Sequence, residues 1–340
     1  MNFLRKILFP FAILYGLITQ IRNFLFDSGI LKSYAFNVPV IAVGNLSVGG
    51  TGKTPQIEYL IRLLSADYKI ATLSRGYKRR SKGFVLADPN STAESLGDEP
   101  FQFYQKFPQI QVAVDANRRN GIEQLLAQKN KPEIILLDDA FQHRKVRAGF
   151  YILLTAYNDL YSDDFILPTG NLRESRKGAK RANIIVVTKC PPDLSESEQE
   201  AIRRKIKPAS NQDLYFSCIG YDDHLFSTDR TLAVSEIRDD SKLLLAGIAK
   251  PESFFAYLQR ENDVILKFPD HYHFSDSDIS EIKNKAQNKI IATTEKDYMR
   301  LKGKIDLNLF YLPIQSVFLS GRENFDKTIL NYVGKSTTNG

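Results

Sequence analysis

Residues 38–64, VPVIAVGNLSVGGTGKTPQIEYLIRLL, constrain the fold more than any other part of this 340-residue chain. VPVIAV is a short, continuous apolar run, the pattern of a strand covered on both faces. PQIEYLIRLL has the apolar spacing of a helix, and a glycine-rich turn joins the two. In that setting the turn reads as a phosphate-binding loop. Ser47, Val48, Gly49, Gly50, Thr51, Gly52, Lys53 and Thr54 are its expected nucleotide-binding residues. The glycines let the backbone approach phosphate oxygens and direct N–H groups at them. Lys53 places a cation near the β- and γ-phosphates, and the Thr54 hydroxyl suits Mg²⁺. One position departs from the usual pattern: Ser47 stands where the commonest form of the loop has its first glycine. A serine keeps the backbone N–H there and adds a hydroxyl.

Further apolar runs recur along the chain: KIATLS (69–74), IQVAV (110–114), EIILLD (133–138), FYILLT (150–155) and NIIVVT (183–188). Helical patterns separate some of them, as in 55–67 and 119–129. The expected fold is α/β, a P-loop NTPase-like doubly wound and mainly parallel sheet with a second, smaller α/β lobe. A mixed stretch of prolines and charge at 191–212 suggests a boundary. The expected organisation is an N-terminal membrane-associating helix (1–27), a kinase core (28–210), the smaller lobe (211–333) and a frayed tail (334–340).

The first 80 residues hold eleven Lys/Arg against three Asp/Glu, so they account for the whole net charge of +7. Such a concentration suits an anionic partner, although a solvated basic face would look the same. Between Lys6 and Arg22 there is no charged side chain, leaving the 15 residues Ile7–Ile21. That is short of the roughly 20 needed to cross a bilayer as a helix. Arg5, Ala12, Gly16, Thr19 and Asn23 form one narrow small-or-polar stripe, and Leu, Ile and Phe occupy nearly all the rest of the circumference. A helix this apolar lies in lipid or packs on protein, and Arg5, Lys6 and Arg22 suit anionic headgroups. No small-x-small cleavage site follows, which argues against a secretory signal. Cys190 and Cys218 are too few for a disulfide framework and lack metal-ligand spacing, consistent with a reducing compartment.

The strand EIILLD ends in Asp138-Asp139, carboxylates placed to hold Mg²⁺ directly or through water. One of the pair could instead cap the following turn, and the residues alone do not divide the roles.

The chain resembles the tetraacyldisaccharide 4′-kinase family from its N-terminal helix to about residue 302. The resemblance rests on VGNLSVGGTGKTP, SRGYKRR, GDEP, DDAFQHR, LPTGNLRE, AGIAKPESFF, FPDHYHFS and TTEKDYMRL, in that order. The family's loop also lacks the usual first glycine. Ala140 stands where Gly is expected and Asn171 where Pro is common, neither at a position that carries chemistry.

The resemblance implies ATP-dependent phosphorylation of the 4′-hydroxyl of a tetraacylated glucosamine disaccharide 1-phosphate, a late step of lipid A assembly. The implied cofactors are ATP and Mg²⁺. The implied partners are the glycolipid and the membrane surface, with neither nucleic acid nor an obligate protein partner. The implied location is the cytoplasmic face of the bacterial inner membrane. Catalytic roles fall on Lys53, Asp98, Arg173 and His271, with Asp98 taking the acceptor proton and His271 orienting it. Thr54, Asp138, Asp139 and Glu174 form the implied metal set. Arg75, Tyr77, Arg118 and Arg119 are the implied substrate contacts. Bland alternatives stand beside these: a helix N-cap for Asp98, a turn histidine for His271, a surface ion pair for Arg173 and Glu174. A partitioning-type switch ATPase is the rival reading. Its signature lysine would fall at Val48, and its membrane helix tends to be C-terminal. The basic N-terminal region also raises a nucleic-acid-binding ATPase, but no recognised binding module accompanies it.

Overall fold

All six residues of strand β1 (Val40–Asn45) are buried, and they alternate between two cores. Ile41 and Val43 join Ile57, Leu60, Ile61 and Leu64 of helix α2 (Lys53–Leu64), whereas Val40 and Ala42 face Ile122 and Leu125 of another helix. A strand enclosed on both faces needs no polar alternation, which is why its sequence is continuously apolar. The computed structural model describes residue 5 and residues 7–249, 251–270, 272–305 and 308–337.

Helix α1 (Phe9–Asp27) precedes β1. After α2 come β2 (Ile70–Ser74), the short β3 (Val85–Leu86), α3 (Ala93–Leu96), α4 (Asp98–Lys106), β4 (Gln111–Val114) and α5 (Arg118–Leu126). Then follow β5 (Ile134–Asp138), β6 (Phe150–Ala156), a 3-10 turn (Arg176–Arg181), β7 (Ile184–Thr188), α6 (Glu196–Ile206) and β8 (Asp213–Tyr221). A second unit holds β9 (His224–Phe226), β10 (Thr231–Ala233), β11 (Leu243–Ala246), α7 (Glu252–Leu258) and β12 (Val264–Lys267). It continues through α8 (Asp276–Ala286), β13 (Ile291–Thr294), α9 (Glu295–Leu301) and β14 (Leu309–Leu312), before β15 (Ile314–Phe318) and α10 (Arg322–Thr337).

The first sheet has nine strands among the described residues, in the order β15-β8-β7-β6-β1-β5-β2-β4-β3. β1 pairs in parallel with both β5 and β6, so the loop that leaves it opens between two neighbouring strand ends. Such a crevice beyond the carboxyl ends of parallel strands is where doubly wound sheets bind ligands. Among the described residues the second unit has a six-stranded sheet, β10-β9-β14-β13-β11-β12, parallel over β14-β13-β11-β12 and antiparallel at the β9–β10 hairpin.

The smaller unit spans Gly220–Gln315, and Ser316–Gly340 belongs with the first unit, so it is narrower than the expected 211–333. The reason is hydrophobic. In α10, Phe325, Ile329 and Val333 are fully buried in the first core beside Phe150 and Phe318, and Tyr332 Oη reaches the Val40 backbone. Each such burial is worth about 1.5–3 kcal/mol, enough to draw the chain end back across the domain boundary. The helix therefore runs to Thr337, past the start of the expected tail at 334.

Helix α1 shows which side of its stripe meets protein. Ala12, Gly16 and Thr19 are its buried residues, and a Cβ added to Gly16 would lie 3.1 Å from Ile166 Cδ1. The small residues let the helix approach closely. Its large side chains, from Phe9 and Phe11 through Ile18 to Phe24, point outward.

Candidate active site

The phosphate loop departs from β1 as an extended segment. Ser47 bridges Leu172 in antiparallel fashion, Val48 N–H donates to Asn171 O at 2.8 Å, and Arg173 N–H donates to Leu46 O at 2.7 Å. This pairing accounts for Ser47. The residue is buried and paired where φ is not positive, so a glycine has no conformational advantage there. The turn proper needs left-handed backbone at Gly49 (φ +118) and Gly52 (φ +80), conformations that side chains disfavour. Gly52 is the N-cap of α2, and Lys53 and Thr54 are that helix's first residues. The positive end of the helix dipole thus faces the loop.

Lys53 Nζ lies 3.6 Å from Asp139 Oδ1, and Arg173 Nη1 contacts both oxygens of the same carboxylate at 3.0 and 2.9 Å. Burial alone would raise the Asp139 pKa, but Lys53 and Arg173 outweigh it and hold the carboxyl below the usual range. Its backbone is left-handed, φ +48, turning the side chain out of line with β5.

The adjacent Asp138 behaves in the opposite way. It is fully enclosed at the end of β5, where Ser74 Oγ donates to it at 3.3 Å. Burial first, and then the charges of Glu99 and Asp139, push its carboxyl up to about 7 against the pull of Lys53 and Arg118. Two neighbouring carboxylates therefore differ in what they can accept: Asp139 already has two cations, and Asp138 has charge to be neutralised.

Asp98 is exposed and begins α4, while Gly97 occupies the N-cap position. The capping alternative is thereby removed. Among the described residues no hydrogen bond or ion pair engages its carboxylate. Helix α4 is fixed by the buried Glu58 of α2, which takes Lys106 Nζ at 2.6 Å and Gln102 Nε2 at 3.2 Å. The helix that carries Asp98 is thus docked on the helix that carries Lys53. Glu99, beside Asp98, was not singled out from sequence, yet its charge acts on Asp138; the GDEP motif was its only signal. His271 lies outside the described residues.

Three expectations need correction. Glu174 is no open metal ligand: Arg181 Nη2 and Gln142 Nε2 donate to Oε1 at 2.7 and 3.1 Å, and Asn23 Nδ2 donates to Oε2 at 2.7 Å. Buried and surrounded by donors, it ties α1 to the active-site loop. Arg118 is buried, and its guanidinium donates to the backbone carbonyls of Asp115 and Asp138 at 2.6 and 3.0 Å. It fixes two strand ends and has little surface to offer a substrate. Burial lowers its pKa to about 10, although the charges of Asp138 and Asp139 favour the cation. Arg119 pairs with Glu123 and covers the Tyr34 ring at 3.7 Å, on the outer side of α5.

Arg75 and Tyr77 are exposed, Tyr77 beside the Lys78 ammonium. Arg79 and Arg80 hold the Val114 carbonyl and Glu94 respectively. Arg22 donates to Gln142 O at 2.6 Å, so that cation serves the protein where a headgroup contact was expected; Arg5 reaches Asn171 Oδ1 at 3.2 Å. Asn171, taken as chemically silent, accepts from Val48 and donates its N–H to Asp164, a bond no proline could make. Gln142, unassigned from sequence, links Asn45 O to Glu174.

Comparison with known proteins gives a consistent answer. A family described as tetraacyldisaccharide-1-P 4′-kinase matches residues 4–334. A Flavobacterium psychrophilum protein named tetraacyldisaccharide 4′-kinase is 69% identical, with 100% of each chain covered. One of the same name from Bacteroides thetaiotaomicron is 45% identical over 99% of this chain and 95% of its own. The crystal structure of LpxK from Aquifex aeolicus in complex with ATP superposes with a TM-score of 0.79 at 32% identity, covering 97% of this chain and 99% of that one.

Proposed function

The chain belongs to the tetraacyldisaccharide-1-P 4′-kinase family, and from that premise we propose how its residues divide the work of the reaction. The activity is ATP-dependent transfer of the γ-phosphoryl group to the 4′-hydroxyl of a tetraacyldisaccharide 1-phosphate, giving the 4′-phosphorylated lipid A precursor. The observation that carries the residue assignments is the Lys53–Asp139–Arg173 cluster at the mouth of the loop.

In this reading the loop N–H groups and the α2 N-terminus hold the β- and γ-phosphates of ATP. Lys53 and Arg173, held in register by Asp139, face the charge that develops as the bond to the β-phosphate oxygen breaks. The acceptor oxygen attacks phosphorus in line, Asp98 takes its proton, and ADP leaves. The family resemblance assigns His271 a part in that proton transfer.

The residues present suit Mg²⁺. Asp138 is a buried carboxylate whose raised pKa marks unneutralised charge, and the half-buried Thr54 hydroxyl opens α2 close by the same loop. Both are hard oxygen donors of the kind this ion takes. Thr54 and Asp138 would hold it, with Asp139 reserved for the two side-chain cations. When bound, the ion neutralises phosphate charge. Arg75 would meet the lipid's 1-phosphate, and Tyr77 the sugar.

The enzyme sits at the cytoplasmic face of the bacterial inner membrane through α1. Eleven large apolar side chains between Ile7 and Phe24 are each more than a third exposed, a patch larger than soluble monomers ordinarily leave in water. Helix α1 is the helix long and apolar enough to cross a membrane among the described residues, but its buried stripe binds it along the protein, which favours lying in the interface.

The test is a transfer assay with γ-labelled ATP, Mg²⁺ and tetraacyldisaccharide 1-phosphate in detergent micelles. Label should accumulate on the lipid; release only as free phosphate would overturn the reading. Asp98→Asn should lower kcat by about 10²–10⁴-fold with ATP affinity retained. Weakened ATP binding at unchanged kcat would move Asp98 to the nucleotide site.

A further inference from the structure

The phosphate loop receives support from a strand that the mechanism above does not use. Thr188 ends β7, and Lys189 follows it with a left-handed backbone, φ +58. For a lysine this conformation is uncommon. Here it accompanies two contacts from one strand end onto the loop. The buried Thr188 Oγ1 donates to Thr51 O at 2.8 Å, with Thr155 O further away at 3.3 Å. Lys189 Nζ donates to the carbonyl of Gly50. Consecutive loop carbonyls, 50 and 51, are thus held from the same side.

A trans peptide is planar, so its C=O and the next N–H point in opposite directions. Fixing the Gly50 carbonyl fixes the Thr51 N–H, and fixing the Thr51 carbonyl fixes the Gly52 N–H. The two N–H groups differ in use: the Thr51 N–H donates to Gly49 O at 3.1 Å and closes the turn, and the Gly52 N–H opens α2 beside the phosphate cradle. A Cβ on Gly50 would lie 3.6 Å from Lys189 Nζ and one on Gly52 3.7 Å from Thr188 Oγ1, ordinary contact distances, so the hydrogen bonds and not crowding hold the loop here.

We propose that Thr188 and Lys189 are positioning residues for nucleotide phosphate, acting through the carbonyls of Gly50 and Thr51. The proposal rests on the kinase reading above and deepens it. A glycine-rich loop pays a large entropic cost to adopt one conformation, and two side-chain donors reduce that cost before ATP arrives. The rival partitioning-type loop would carry a lysine of its own at position 48; here the chain has Val48, and a second cation reaches the loop from β7.

The test is steady-state kinetics on the full chain, titrating ATP and the lipid acceptor separately, with Thr188→Val, Thr188→Ser and Lys189→Met. Thr188→Val and Lys189→Met should each raise KM for ATP about tenfold, the loss of one hydrogen bond, and leave KM for the acceptor within about twofold. Thr188→Ser keeps the hydroxyl and should recover most of what Thr188→Val loses. KM for ATP unchanged in both Thr188→Val and Lys189→Met would overturn the proposal. So would equal losses for ATP and acceptor together with a lowered Tm, the mark of a merely structural role. If the wild-type chain transfers no phosphate to lipid, the kinase reading falls; if it transfers normally and the variants match it, only this inference falls.

Discussion

The phosphate loop and helix α1 lie against the same stretch of chain, residues 166–174, and are built on opposite rules. On the loop side the contacts are backbone pairs, Ser47 with Leu172, Val48 with Asn171 and Arg173 with Leu46, and the charges are matched. On the helix side Gly16 rests on Ile166, Tyr15 Oη donates to Arg173 O, and Asn23 donates to Glu174. Arg22 and Asp27 add contacts to Gln142 and Arg144, and the large apolar side chains from Phe9 to Phe24 are exposed. One region spends its polar groups on orienting a ligand; the other uses a few to stay attached and presents grease outward. Orienting a ligand and presenting an apolar face therefore demand different residues, and this chain sets both against one short segment.

The largest expected effect tests the loop side. Lys53→Ala should reduce kcat/KM by about 10³-fold or more in the transfer assay, because the phosphoryl group loses a positioned charge. Full activity would end the assignment.

Deletion of residues 1–26 tests the other side and sharpens the contrast. Flotation with vesicles of phosphatidylethanolamine and an anionic phospholipid should fall by at least about tenfold, since the exposed apolar surface is removed. Unaltered flotation would mean that α1 is not the membrane element. Because Asn23 and Arg22 go with it, the truncated protein should also melt at a lower temperature.

Glu174→Ala isolates the wall itself. Leaving the half-buried Arg181 and the amides of Asn23 and Gln142 without their carboxylate should cost about 3 kcal/mol, read as a lowered denaturation midpoint. The Mg²⁺ concentration for half-maximal activity should not change; if it rises steeply, Glu174 belongs to the metal after all.

The smallest effect concerns His143, between the two regions. Burial, then the cations Arg118, Arg22, Lys145 and Arg75, lower its pKa from 6.5 to about 4. The unfolded chain takes up a proton first as the pH drops. Stability from keeping His143 neutral is therefore complete above pH 6.5 and is lost as pH falls from there through about 4. His143→Gln should flatten that part of the Tm-against-pH curve; an identical slope would show that other groups carry it.

Much of the fold was legible because it follows from local pattern. Each of the six apolar runs became a strand, and GGTGKT fell between strand and helix as its chemistry requires. What sequence could not give depends on distance along the chain. The return of α10 to the first core turns on Phe325, Ile329 and Val333 meeting Phe150, far away in sequence. The family resemblance implied a metal role for Glu174 through the NLRE motif. Only the folded chain brings Asn23, Gln142 and Arg181 onto its two oxygens. The stripe on α1 was visible, but which way it faced was not: small residues on an apolar helix fit close packing as well as solvent.

The shared segment 166–174 also sets a scale. Paired strands lie about 5 Å apart, so only a strand's spacing separates the wall that α1 grips from the backbone that shapes the phosphate cradle. On the proposed reading, with α1 in the lipid surface, a substrate whose acyl chains stay among their neighbours can offer its sugar to ATP without being lifted out, and the thinness of that partition limits how far the headgroup must travel.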